Sequence, residues 1–142
     1  MPIFATQGGL MSAIVTILAI LLYTFMMIRV GQMRGKHGVT APATTGHPEF
    51  ERAFRIHYNT LESLTVFMAL LWLATIYFHM LPWLPALVGL IWVIGRFLYM
   101  TGYMADPSKR GTGFTIATLS QLALLIIAVI GIVQTWMAAN AA

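Results

Sequence analysis

Residues 55–78 decide the fold, and they read RIHYNTLESLTVFMALLWLATIYF. The second half of this stretch is almost uninterrupted apolar sequence, and three further long apolar stretches occupy the rest of the chain. Each predicts a helix able to cross the ~30 Å hydrocarbon core of a bilayer. The first half sets Arg55, Asn59 and Glu62 beside the apolar run, where a charged group costs roughly 2.5–3.5 kcal/mol. Charged groups that are present despite this free-energy cost indicate a binding site inside the membrane.

The composition is that of a membrane protein with a single domain, residues 1–142. Hydrophobic residues make up 59% of the chain and charged residues 8%, against about 25% charged residues in soluble domains. The net charge is +4, but the basic residues lie at the ends of the apolar stretches, so no nucleic-acid-binding face is predicted. The absence of Cys excludes disulfides and a protein thiol nucleophile. The His residues do not recur at helical spacing, so no metal site is predicted.

The sequence predicts an all-α fold with four transmembrane helices at about residues 10–30, 49–79, 84–104 and 112–137. Pro48 suits the first turn of the second helix, and proline-containing turns separate the later helices. The first apolar stretch follows no basic leader, so we interpret it as a retained helix rather than a signal peptide. Short connections make an up-down-up-down four-helix bundle the simplest arrangement.

The distribution of basic residues predicts how the bundle is oriented. Lys and Arg flank the first and third connections, whereas the second connection and both termini carry none. The positive-inside rule therefore places connections 1 and 3 in the cytosol. We expect an integral, multi-pass protein of a bacterial inner membrane rather than of the endoplasmic reticulum, because the chain is short and carries no retention tail.

Polar side chains of the second helix are predicted to form one stripe. At about 100° per residue, Arg55, Asn59 and Glu62 fall within about 60° of arc, whereas His57 points away from them. Glu62 and Arg96, on the second and third helices, each lie about 15 Å from the cytosolic end of their helix. We therefore predict that these two side chains meet or share a ligand, and a purely structural ion pair is the alternative.

The third helix and the turn after it supply further candidates. Tyr99 and Tyr103 share a face with Arg96, and they are either anchors at the membrane boundary or hydroxyls that point into a polar cavity. Arg110 is either a charge that sets the topology or a cation of the site. Cations, one carboxylate, an amide and phenols suit a small zwitterionic ligand with surplus carboxylates, because Arg pairs bidentately with a carboxylate.

Two motifs carry a family resemblance. Residues 55–62 contain Arg-x-x-x-Asn-x-x-Glu, and residues 95–103 contain Gly-Arg-x-x-Tyr-x-x-Gly-Tyr. In combination they resemble the MAPEG family, the membrane-associated proteins of eicosanoid and glutathione metabolism, over about residues 29–116. The motifs are most similar to those of type 3 microsomal glutathione transferases and leukotriene C synthase. The resemblance implies a homotrimer of four-helix subunits that binds glutathione between neighbouring subunits near the cytosolic side.

The resemblance also implies roles for individual residues. It assigns to the glutathione pocket of one subunit Arg55, Asn59, Glu62, Tyr99 and Tyr103. It assigns to the adjoining subunit Arg34, His57 and the catalytic Arg110. Lys109 is the adjacent competitor for the catalytic role. Ser63 stands where leukotriene C synthase has a tyrosine, so one hydroxyl contact on glutathione would be lost.

The function implied is that of a membrane-bound glutathione transferase or glutathione-dependent peroxidase. A thiol like that of free Cys has a pKa of about 8.5 and is only about 3% thiolate at pH 7, so a nearby cation is needed to stabilise the thiolate. Lipophilic electrophiles or lipid hydroperoxides from the membrane are the expected second substrates. The alternatives are a non-enzymatic lipid-binding scaffold of the same family and a small transporter subunit. The sequence leaves transferase, peroxidase and isomerase open.

Overall fold

The computed structural model describes residues 6–141, and within that range it contains helices and no strand. The long helices are α1 (Gln7–His37), α2 (Pro48–Tyr77), α3 (Leu84–Ala105) and α4 (Arg110–Asn140). A short 3-10 turn, Pro107–Lys109, joins α3 to α4. All four long helices are long and apolar enough to cross a membrane. The predicted all-α fold with four membrane-spanning helices is confirmed.

The ends of α1 are set by its caps rather than by its apolar stretch. Thr6 Oγ1 accepts a hydrogen bond from the backbone N–H of Gly9 at 3.2 Å, which satisfies one of the free donors at the helix start. The helix continues past Val30, its predicted end, to His37. It stops at Gly38, whose φ of 65° is the left-handed conformation that glycine adopts without strain. The helix therefore extends beyond its apolar part, and the first connection is shorter than predicted.

Contacts between successive helices show that each runs antiparallel to the one before it, and for α4 the evidence is that Gly113 packs on Tyr99 while the later Ala117 packs on the earlier Gly95 of α3. Near one end of the bundle, the hydroxyls of Ser12 in α1 and Thr75 in α2 are 2.7 Å apart. At the other end, Arg52 Nη1 in α2 donates to the carbonyl oxygen of Met104 in α3 at 3.2 Å. A residue early in one helix thus meets a residue late in the next, as an up-down-up-down bundle requires.

A core of aromatic and aliphatic side chains lies between the helices. Phe67 of α2 stacks on Trp92 of α3 with ring centroids 3.9 Å apart, and Leu71 and Leu124 are fully buried beside them. Large apolar side chains also cover the outside of all four helices. In water such an outer surface would be unstable, whereas in a bilayer it is the surface that faces lipid.

Small residues bring α3 and α4 unusually close together. A Cβ atom built on Gly113 would overlap the backbone of Tyr99, and one built on Gly95 would lie 2.8 Å from the backbone nitrogen of Ala117. Close backbone approach at small residues is the usual way in which helices associate in lipid, where no hydrophobic effect drives them together. This contact fixes the position of Tyr99 relative to the start of α4.

Candidate functional site

A groove of about 250 Å³ lies between α2, α3 and the first residue of α4. We call it the polar groove. Its lining residues are Phe54, Arg55, Tyr58, Asn59, Glu62, Tyr99, Tyr103 and Arg110. Six of the eight site residues proposed from the sequence thus line one groove of a single chain.

Helix α2 contributes the charged stripe predicted from helical periodicity. Arg55 and Glu62 are exposed and Asn59 is half-buried, and all three line the polar groove. Within residues 6–141, neither Arg55 nor Glu62 has a hydrogen-bond or ion-pair partner. Their guanidinium and carboxylate groups are therefore available to a guest molecule.

Helix α3 contributes two phenols that are buried within the chain. Tyr99 is 4% exposed and Tyr103 is 6% exposed. Their rings meet edge to face with centroids 5.7 Å apart, and both line the polar groove. Buried phenols at a groove differ from the anchors of a membrane boundary, whose rings lie in the headgroup region.

Arg110 lies at the mouth of the groove as the first residue of α4. Its guanidinium carbon is 5.5 Å from the ring centroid of Tyr103 in the same chain. The resemblance implied that this residue comes from an adjoining subunit, whereas here it lines its own chain's groove. An adjoining cavity of about 240 Å³ shares Asn59, Tyr99 and Arg110 with the groove and adds Phe114 to its wall. Lys109 lines neither cavity.

The turn before Arg110 is held by one carboxylate. Asp106 Oδ1 accepts hydrogen bonds from the backbone N–H of Ser108 at 2.9 Å and from its hydroxyl at 2.8 Å. These two bonds, together with nearby Lys109 and Arg52, hold the pKa of the Asp106 carboxyl below its usual value. Gly102 packs against the same turn, since a Cβ there would lie 2.8 Å from the carbonyl oxygen of Lys109. These hydrogen bonds and this packing contact therefore fix the start of α4, and with it the position of Arg110.

Glu62 and Arg96 were predicted to meet or to share a ligand; the direct contact is not formed, and a shared ligand stays a prediction. Arg96 is 2% exposed, and its Nη1 donates to Oδ1 of Asn59 at 2.8 Å. Its guanidinium also lies over the ring of Tyr99, 5.2 Å from the centroid, and Glu62 forms no ion pair with any described residue. Counting residues from the helix ends places both charges at one depth, but it does not determine the direction in which each side chain points around its helix. Asn59, one turn from Glu62, is the α2 side chain that reaches Arg96.

Arg34 and His57 lie outside the polar groove of their own chain. Arg34 Nη1 donates to the carbonyl oxygen of Ala43 at 2.8 Å, and its guanidinium lies over the ring of Phe50 at 4.6 Å. The His57 ring stacks on Tyr23 at 4.9 Å, and its buried Nε2 has no hydrogen-bond partner among the described residues. The role predicted for both in a neighbouring subunit's groove stays a prediction.

Two aromatic residues of the groove wall were not predicted from the sequence. They are Phe54 and Tyr58, whose stacked rings have centroids 6.2 Å apart. Tyr58 lies three residues after Arg55 and four before Glu62, so it falls on the same helical face. The spacing that found the charged stripe could therefore have found this tyrosine as well.

Comparison with known proteins points to one family. The sequence model of the MAPEG family matches residues 12–130. The chain is 44% identical to an uncharacterized protein of Synechocystis over 120 residues, which cover 84% of this chain and 86% of that protein. It is 38% identical to microsomal glutathione S-transferase 2 of Homo sapiens, with coverage of 92% and 87%. It is 35% identical to leukotriene C4 synthase of Cavia porcellus, with coverage of 91% and 85%. The resemblance predicted from the two motifs is confirmed.

Proposed function

Since this chain belongs to the MAPEG family, we propose that it is a membrane-bound glutathione transferase whose polar groove binds glutathione and stabilises its thiolate. The observation that carries the proposal is the convergence of Arg55, Asn59, Glu62 and both tyrosines with Arg110 in one groove. One of these relatives is named a glutathione S-transferase and another a leukotriene C4 synthase. Their names give the expected co-substrate and leave the second substrate open.

The charges of the groove match those of the tripeptide. Glutathione carries two carboxylates and one ammonium group, and Arg55 offers the planar fork that pairs bidentately with a carboxylate. Glu62 can accept hydrogen bonds from the ammonium group. The side-chain oxygen of Asn59 accepts a hydrogen bond from Arg96, so the amide N–H groups of Asn59 remain as donors for a ligand in the groove.

Arg110 is the residue we propose for activating the thiol. Its guanidinium, and the positive end of the α4 dipole behind it, favour a negative charge at the groove mouth. Lowering the thiol pKa by about two units corresponds to about 2.7 kcal/mol and makes the thiolate the major form near pH 7. The thiolate then forms a carbon–sulfur bond with a lipophilic electrophile, and the leaving group departs with the electron pair of the broken bond. The aromatic wall at Phe114 suits such an apolar partner.

The same thiolate could attack the terminal oxygen of a lipid hydroperoxide, so that an S–O bond forms while the O–O bond breaks and the lipid leaves as an alkoxide that takes up a proton. A second glutathione would then reduce the resulting sulfenic acid, giving glutathione disulfide and water.

We further propose that the enzyme is a homotrimer in a bacterial inner membrane, with connections 1 and 3 on the cytosolic side. The exposure of Glu62 supports oligomerisation, because a carboxylate that faces lipid costs roughly 2.5–3.5 kcal/mol and a covering subunit removes that contact.

The test is an ultraviolet titration of bound thiolate in detergent-purified protein, combined with glutathione-binding calorimetry. We expect Arg110→Ala to abolish the thiolate signal near neutral pH while glutathione still binds. Lys109→Ala is the matched control, because this neighbouring cation does not line the groove, and it should leave the signal unchanged. A retained signal in Arg110→Ala would contradict the assignment. A wild-type protein that binds no glutathione would favour a lipid-binding scaffold instead.

A further inference from the structure

The connection between α1 and α2 brings three metal-ligating side chains together, away from the polar groove. His37 is the last residue of α1, His47 caps the start of α2, and Glu49 lies in the first turn of α2. Their ligand atoms all lie within 4.8 Å of one another. Helical spacing alone predicted no metal site, because it cannot detect ligands that a connection brings together.

The three side chains are already in mutual contact. His37 Nε2 and Glu49 Oε2 are 2.9 Å apart, and the rings of His37 and His47 stack at 3.5 Å with an angle of 10° between their planes. From residues 6–141, the Nδ1 of His47 accepts one hydrogen bond, a long one of 3.3 Å from the backbone N–H of Glu49. Its lone pair is therefore weakly engaged and available to a stronger partner.

We propose that this cluster, here called the connection-1 cluster, binds a divalent transition metal ion of the zinc type. Two imidazoles and one carboxylate are the mixed nitrogen and oxygen donors that Zn²⁺ prefers, with water as a fourth ligand. Zn–N bonds of about 2.0–2.1 Å place tetrahedral donors about 3.3 Å apart, so ligand atoms now within 4.8 Å of one another must move closer. The stacked rings of His37 and His47 must also rotate away from parallel, because a bound ion lies in the plane of each imidazole. The ion takes the place of the proton between His37 and Glu49.

Lys36 is the group that competes with such an ion. Its Nζ lies 2.7 Å from Glu49 Oε2, the same oxygen that contacts His37. A metal ion that binds Glu49 must therefore displace the ammonium group or share the carboxylate with it. Removing this ammonium group should therefore strengthen metal binding. A cluster that served only as a salt bridge would show no such effect.

Binding would link the end of α1 to the start of α2 across residues 38–47. None of the three ligands lines the polar groove, so the inference does not depend on glutathione chemistry. The metal ion binds the folded state, and it should raise the midpoint of thermal unfolding as its concentration exceeds the dissociation constant.

The experiment is calorimetric titration of Zn²⁺ into detergent-purified protein without an affinity tag, with Mg²⁺ as the hard-cation comparison. We expect Zn²⁺ to bind with one site per chain and Mg²⁺ not to bind. His37→Gln and His47→Asn should each weaken Zn²⁺ binding by more than about 100-fold, beyond the cost of losing an outer-shell contact. Asn is chosen at position 47 because it still caps a helix.

Two further variants separate a metal site from nonspecific binding. His79→Ala removes an exposed histidine from the second connection and should leave the affinity unchanged. Lys36→Gln should raise the affinity. Thermal unfolding without metal verifies that each variant is folded. Equal Zn²⁺ affinity in the wild type and the His37→Gln variant, or weaker binding by Lys36→Gln, would overturn the proposal.

Discussion

Arg96 is a buried guanidinium that orients the groove without lining it. It donates to Asn59 at 2.8 Å and packs over the ring of Tyr99. We predict that Arg96→Lys weakens glutathione binding about tenfold, because Lys keeps the charge but lacks the planar fork, and a hydrogen bond to a charged group contributes about 1.5–3 kcal/mol. Calorimetry measures the loss. Arg29→Lys is the control and should bind glutathione normally, because the Arg29 guanidinium lies outside the polar groove and its one hydrogen bond to a described residue is to the exposed Gln32. Equal affinities in both variants would contradict the role of Arg96.

Individual residues were predictable where helical periodicity alone decides their direction. Arg55, Asn59 and Glu62 fall on one face because their spacing matches the helical turn, and the groove contains all three. The partner of Arg96 was not predictable in this way. Choosing Asn59 over Glu62 requires the rotation of α2 against α3, and that rotation depends on packing such as the stack of Phe67 on Trp92. The sequence contains no local signal for it.

At the scale of helices, Gly113 determines how closely α4 approaches α3. We predict that Gly113→Ala lowers the free energy of unfolding by about 1–3 kcal/mol or more, because the new methyl group overlaps the backbone of Tyr99. Glutathione affinity should fall as well, since Tyr99 lines the groove. Gly111→Ala is the matched control on the same helix, where a Cβ meets no atom within 4 Å. Thermal unfolding in detergent distinguishes the two variants. A stable Gly113→Ala protein would contradict the close packing.

Helix number and type could be predicted, whereas helix ends could not. Apolar length identified four spanning segments because lipid requires it. The end of α1 depends instead on Gly38, whose positive φ ends the helix and lets the chain change direction. The polar residues before it are compatible with helix, so the helix continues outside the apolar stretch. The connection-1 cluster was missed for the same reason, since its ligands lie at helix ends.

At the scale of the whole molecule, the proposed homotrimer would bring a neighbouring subunit to the open side of the polar groove. The polar groove is exposed along Glu62 and Arg55, and lipid would be a poor partner for these charges at the membrane depth that the sequence predicts. Arg34, which the resemblance implies for the site, lies outside the groove of its own chain. A neighbouring subunit that covers the groove and supplies Arg34 to it would account for both observations. In a closed ring of identical subunits, each groove would then combine Arg55 of one chain with Arg34 of the next.

This arrangement predicts complementation between two inactive variants. Arg34→Ala and Arg55→Ala should each lose most of the glutathione-transferring activity as pure trimers, because every groove lacks one guanidinium. Trimers assembled from an equal mixture should recover about one quarter of the wild-type activity, since half of the subunits retain Arg55 and half of their neighbours retain Arg34. Co-expression followed by turnover with a model electrophile measures this recovery. A mixture of Arg55→Ala with Asn59→Ala is the control and should stay inactive. Both residues belong to the groove of their own chain, so every groove in the mixed trimers lacks one of the two. Absence of recovery in the first mixture, in trimers verified to contain both chains, would show that Arg34 does not serve a neighbouring groove.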